Sequence, residues 1–225
     1  MRTAQRLFAQ HGIDAVSLNE IIGAAKVNPA AIHYHFRSKD GLIEAILQRS
    51  ASDLGERCER ILDEYEARGN ITLRDLVTAM VEPITQLKTT SGGLDYARFL
   101  ASVSLHPRYS AYLADVTSRY TTRFLKILEE LTPGMSSAVR LRRFAYARTF
   151  VYDAIAVDDR TVELWMDVHG ETTDEAAATN DLIDLLAGGI GAPQHQQTKP
   201  RAPRAIKKTP STKPLTARKS SKTRN

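Results

Sequence analysis

Apolar residues recur every three or four positions over most of the chain, and strand-like alternation is absent. The first cluster, Leu7 and Phe8, belongs to a short amphipathic helix over Met1 to Gln10 that Gly12 ends. Ser17 followed three residues later by Glu20 is a capping box. It starts a second helix at Leu18, with Ile21, Ile22 and Ala25 on one face. Asn28 caps a third helix, and Pro29 suits its first position, where a missing N–H costs nothing. Ile32 and Phe36 lie four apart and share an inward face. Ala30, Ala31, His33 and Tyr34 are left on the other side. A short helix showing small residues, an imidazole and a phenol is poor core material, but it is well shaped for the DNA major groove.

The same periodicity predicts the rest. A long helix starts at Ser38 and runs to about Arg68, with Leu42, Ile43, Ile46, Leu54, Ile61 and Leu62 as its stripe. Gly69 and Asn70 break it. The next runs from about Ile71 to Lys88, and Pro83 should kink it. Further helices are expected over Leu94 to Leu105, Tyr109 to Leu131 and Ser136 to Val157. After a loop, the last spans Asp174 to Ala187. The expectation is an all-α chain: a helix-turn-helix DNA-binding domain over residues 1–49, a helical body over 50–192 and a tail over 193–225.

Composition changes this picture at the ends. The net charge of +5 conceals an uneven distribution. Ten Lys and Arg and no acid lie between Pro193 and Asn225, so residues 1–192 hold 21 basic against 26 acidic side chains. The first 49 residues are net +2 and residues 50–192 net −7. The tail, rich in Pro, Lys and Thr, has almost nothing apolar to bury and should be disordered. It reads either as a solvated low-complexity extension or as a nonspecific DNA anchor, since ten cations without anions suit a polyanion through counterion release. The single cysteine, Cys58, excludes an internal disulfide and fits a reducing cytoplasm. No run is long and apolar enough for a signal peptide or a membrane span.

No catalytic constellation is legible, so an enzyme is not expected. There is no Gly-rich phosphate loop and no nucleophile elbow. Asp158 with Asp159, and Glu129 with Glu130, are adjacent pairs that diverge on a helix. His33 and His35 point about 200° apart on a helix, so they cannot share a metal. No cofactor is expected.

The text AQRLFAQHGIDAVSLNEIIGAAKVNPAAIHYHFRSKDGL resembles the tetracycline-repressor (TetR) family of bacterial transcription regulators. A Leu-Phe helix with a trailing Gly, a Ser before an Ile-rich helix, a short helix ending in Tyr-His-Phe and a Ser-Lys pair all match in order and spacing. The resemblance implies that Ser17 bonds a phosphate and that Ala30, Ala31 and His33 face base edges. Tyr34, His35 and Lys39 would hold the DNA backbone, and Phe8 and Val27 would complete the small core. Lys26 stands where the family has Gly. In a left-handed conformation it costs roughly 1 kcal/mol. Either the turn differs, or a phosphate contact by Lys26 offsets the strain. The family also has residues before its first helix, which here starts at or before Met1.

The resemblance further implies a ligand-binding and dimerisation domain after the first 49 residues, and a double-stranded operator, a second copy and a small effector as partners. Residues 71–152 look, more weakly, like members that respond to fatty acids or their thioesters. Met80, Ile84, Phe99, Val103, Tyr120, Phe124, Phe150 and Tyr152 are core by spacing and candidates to line an effector pocket. Arg98, if inward, suits an acidic head group. Arg140, Arg142, Arg143 and Arg148 read as a solvated face paired with the acidic residues nearby. On the family pattern Ala147, Val151, Ala154 and Ile155 meet Leu182, Ile183, Leu185 and Leu186 across a dimer interface. The competing readings are an architectural DNA-binding protein working through its tail, and a ligand-binding module without DNA.

Overall fold

The computed structural model describes residues 1–156, 160–172 and 174–194. Contacts divide the chain into Met1–Pro193 and Gln194–Asn225. The tail from residue 195 on, with Asp158 and Asp159, lies outside the described residues. The described residues of the first unit form helices and no strand: α1 Arg2–His11, α2 Leu18–Ala25, α3 Pro29–Phe36, α4 Lys39–Arg68, α5 Leu73–Thr85, α6 Gly93–Leu105, α7 Ser110–Val116, α8 Ser118–Leu131, α9 Ser137–Ala156, α10 Arg160–Val168 and α11 Glu175–Gly191. None of them is long and apolar enough to cross a membrane.

Local chemistry accounts for the starts. The Ser17 hydroxyl accepts from the Glu20 N–H at 3.2 Å, and the Glu20 carboxylate accepts from the Ser17 N–H at 2.6 Å. Thr72 and Asp75 repeat this box ahead of α5. Asn28 accepts from the Ala30 N–H at 2.9 Å and Pro29 follows it. Ser38 accepts from the Gly41 N–H at 3.1 Å. Gly41 itself is required, because a Cβ there would lie 2.1 Å from the Phe36 carbonyl oxygen. It lets α4 leave α3 at close quarters.

Three elements depart from the sequence expectation. The helix expected over Tyr109 to Leu131 is interrupted at Thr117, whose buried hydroxyl donates to the Leu113 carbonyl at 2.7 Å. That side-chain bond competes with the backbone ladder. Helix α5 continues two residues past Pro83 and then tightens into a 3-10 turn over Gln86–Thr89. Part of the expected loop before residue 174 is α10. Its apolar residues (Val162, Leu164, Trp165 and Val168) are exposed, so no clean apolar stripe marks it.

One apolar core runs through the unit. Phe8, Ile13, Val16 and Ile21 of the first three-helix head join Leu42, Ile43 and Ile46 of α4. Helix α4 continues without a break into the body, where Leu54 and Leu62 meet α5. The head also packs on α6, where Phe8 stacks on Phe99 with ring centres 5.7 Å apart.

Candidate nucleic-acid interface and effector cavity

Helix α3 buries no residue fully. Ile32 and Phe36 are half-buried, while Ala30, Ala31, His33, Tyr34 and His35 are exposed. Tyr34 is 82% exposed and meets His35 edge-on, with ring centres 5.3 Å apart. Ser17 is exposed beside it, and its hydroxyl accepts from the Glu20 N–H. The backbone and side-chain hydrogen bonds from Ser17 hold the Glu20 carboxyl below its ordinary range. Lys26 has φ 52° and ψ 43°, so the turn is left-handed as a glycine would make it, and its side chain is exposed. Arg37, which the sequence did not mark out, follows α3 with φ 63° and an exposed side chain.

Two expectations for this head need correction. Lys39 does not project toward solvent. Its ammonium donates to the carbonyls of Ile13 at 2.9 Å, Val16 at 3.1 Å and Asp14 at 3.4 Å, which engages all three of its protons. It clamps the loop between α1 and α2 and is not free to hold a phosphate. Val27 is 41% exposed and does not complete the small core. Ile13 and Val16 do that instead.

The corner between α6 and α7 ties the body to this head. His106 lies 3.2 Å from the Asp14 carboxylate and Arg108 2.6 Å from that of Asp40. The Tyr109 hydroxyl also donates to Asp40. Burial, with the hydrogen bond to Asp40 second, pushes that hydroxyl up to about 12.

Between α4, α5, α8 and α9 lies a cavity of about 20 Å³. Met80, Ile84, Tyr120, Phe124 and Tyr152 line it, joined by Leu54, Cys58, Phe144 and Arg148. Phe99 and Val103 are fully buried elsewhere. Arg98 donates to the Ala156 carbonyl at 3.2 Å and does not line the cavity. The cation on the cavity wall is Arg148, which donates to the Thr117 hydroxyl at 3.2 Å. Phe150 is exposed on another face. Ligand sites run to about 300–1,000 Å³, so this cavity is far below that size. Tyr120, on its wall, also lies against α4. A Cβ at Gly55 of α4 would lie 2.9 Å from the Tyr120 ring, so ring and helix backbone are in contact.

Cys58 is buried on the same wall, and burial pushes its thiol up to about 12. At pH 8 Ellman's reagent is therefore expected to leave Cys58 unmodified in the folded protein and to react promptly in about 6 M guanidinium. Prompt reaction of the folded protein would show that the cavity is open.

Residues 1–46 match the model for bacterial regulatory proteins of the tetR family, and residues 78–189 match the model for the tetracyclin repressor-like C-terminal domain. The chain belongs to the tetR family. It is a DNA-binding, helix-turn-helix transcription regulator. Over 65 residues it is 45% identical to the HTH-type transcriptional regulator AcrR of Shigella flexneri, covering 29% of this chain and 28% of that one. Over 127 residues it is 27% identical to the HTH-type transcriptional repressor KstR2 of Rhodococcus jostii strain RHA1, covering 56% and 60%. The aligned part is thus under two thirds of either curated relative. Among solved structures, a TetR-family regulator from Rhodococcus sp. aligns with TM-score 0.52 and 18% identity over 84% of this chain and 93% of that one. The regulator PfmR of Thermus thermophilus aligns with TM-score 0.51 and 17% identity over 86% and 95%. At such identities the likeness is one of fold.

In this tetR-family chain α9 and α11 pack on each other and not only outward. Ala147, Val151, Ile155, Ile183 and Leu186 are buried within the one chain, and Ala154 and Leu182 are half-buried. The exposed face is carried by Tyr146, Phe150 and Leu185, the last 62% exposed. These line a groove of about 400 Å³ with Gly189 and Arg143. Nor are the arginines of α9 a solvated face. Arg140 is buried and donates to Glu129 at 3.1 Å and to the Met135 carbonyl at 2.8 Å. Arg143 donates to the carbonyls of Ile190 and Ala192 at the end of α11. Of the four, Arg142 alone is exposed.

Proposed function

We propose that the protein is a cytoplasmic repressor that binds a pseudo-palindromic operator as a homodimer and leaves it when a small effector opens the inner cavity. The observation that carries the DNA half is α3 itself: a doubly capped helix whose outward side chains find no protein partner but one another. Residues 1–49 act as the reading domain and 50–192 as the effector and dimerisation domain. The basic tail, 193–225, adds sequence-independent attraction to DNA. Two copies of α3 enter successive major grooves about 34–36 Å apart. Ala30, Ala31 and His33 face bases. Ser17, Lys26, Tyr34 and His35 contact the phosphates, joined by Arg37. A phosphate at Lys26 offsets the strain of its left-handed backbone. Two relatives carry the name of transcriptional repressor, KstR2 and ComR of Escherichia coli strain K12, which supports repression over activation.

The dimer forms through Tyr146, Phe150 and Leu185, the apolar side chains that α9 and α11 leave uncovered. The effector is an apolar molecule with an acidic head, such as a fatty acid or acyl derivative. Aromatic and aliphatic side chains line the cavity, and Arg148 is the cation among them. Displacing Tyr120 presses on α4 at Gly55. The effector releases DNA to the extent that it binds the displaced state better.

Fluorescence anisotropy on DNA from beside the protein's own gene, against scrambled DNA at about 150 mM salt, tests this reading. A preference of 100-fold or more, roughly 2.7 kcal/mol, is expected. His33→Ala or Tyr34→Ala weakens specific binding by about 1–3 kcal/mol per half-site. Neither should lower stability, since both side chains are exposed. Unchanged affinity in both variants would remove α3 from the reading role.

A further inference from the structure

We infer that the open cleft between α1, α4 and the start of α6 is a binding site for a phosphate-bearing anion. It encloses about 660 Å³, within the range of small-molecule sites and far larger than the inner cavity. Arg2 of α1 and Arg49 and Arg57 of α4 stand on its walls against one acid, Asp53. Arg49, Asp53 and Arg57 are four apart on one helix face. Among the described residues none of the three arginines is in an ion pair. Arg2 and Arg49 belong to the net-positive first 49 residues and Arg57 to the net-negative stretch that follows.

The opposite wall offers neutral donors. Thr90, Ser91, Gly92 and Gly93 lead into α6, whose N-cap is Gly92 and which no side chain caps. The Gly93 N–H donates to the Thr90 carbonyl at 3.0 Å, and the next N–H groups of the first turn keep their hydrogen-bonding capacity for an anion. Tyr96, one turn further on, lines the same cleft, and its hydroxyl is buried beside the Ser50 side chain of α4. Guanidinium groups, free N–H groups and a phenol together match the oxygens of a phosphate. Leu54 lies on the wall of both the cleft and the inner cavity, so an anion seated here also bears on α4 beside the effector site. The site stands independently of the operator reading, because the ligand is measured directly.

The test is isothermal titration of the full chain with sodium pyrophosphate at about 50 mM salt. Arg49→Gln with Arg57→Gln is expected to weaken the saturable binding by about tenfold or more, with the melting temperature unchanged. Tyr96→Phe should weaken it by about threefold without destabilising the fold. The background from the basic tail is common to all three proteins. Equal affinity in all of them, or no saturable binding in the wild type, overturns the site. The same double variant separates the sources of phosphate. If the phosphate belongs to DNA, the slope of log affinity against log salt falls by about one for each phosphate no longer neutralised. If it belongs to a free ligand, that slope stays while pyrophosphate binding goes.

Discussion

Phe99→Ala is expected to lower stability by about 3–5 kcal/mol, the range for deleting a buried phenyl ring and leaving the void behind. The residue is 0% exposed and its ring stacks on Phe8. It is thus the seam between α6 and the three-helix head. Urea unfolding measures the loss. Operator binding should weaken with it, because α1 would lose its footing on the body. A loss below about 1 kcal/mol would mean that the seam is not held by this stack.

Lys39→Met separates two roles for one lysine. As a clamp on three carbonyls it contributes charge-assisted hydrogen bonds of about 1.5–3 kcal/mol each, which overlap and do not add fully. The expected loss is therefore about 2–4 kcal/mol, seen as a lower urea midpoint. The salt dependence of operator binding by the folded protein stays unchanged. As a phosphate contact it would do the reverse, leaving stability alone and reducing the salt slope by about one. The geometry at Ile13, Asp14 and Val16 favours the first outcome.

The contrast between these residues shows what the sequence could carry. The head was legible because its determinants are local. Ser17 with Glu20, Asn28 with Pro29, and the four-residue step from Ile32 to Phe36 each act within one turn of helix. Body boundaries were legible where Gly69, Gly92 and Pro107 interrupt an apolar stripe. What periodicity does not encode is which element covers a buried face. Phe99 was rightly placed among buried residues, yet its neighbour is Phe8 of the head and not the inner cavity. The arginines were harder still. Arg140 bonds within its own corner and Arg143 to carbonyls 47 and 49 residues on. Arg98 reaches a carbonyl 58 residues away. The acceptors of Arg98 and Arg143 are main-chain atoms, invisible in side-chain patterns. Thr117 and α10 were missed for the opposite reason. One is a single hydroxyl acting against the helix ladder, and the other is a helix without a covered face.

The unbroken run of α4 makes it a lever. Gly55 lies sixteen residues from Lys39 along one continuous helix, about 24 Å at 1.5 Å per residue. A tilt of only about 5° about Gly55 sweeps the far end through roughly 2 Å. Asp40, at that far end, is held by Arg108 and Tyr109, so the corner between α6 and α7 has to move with it.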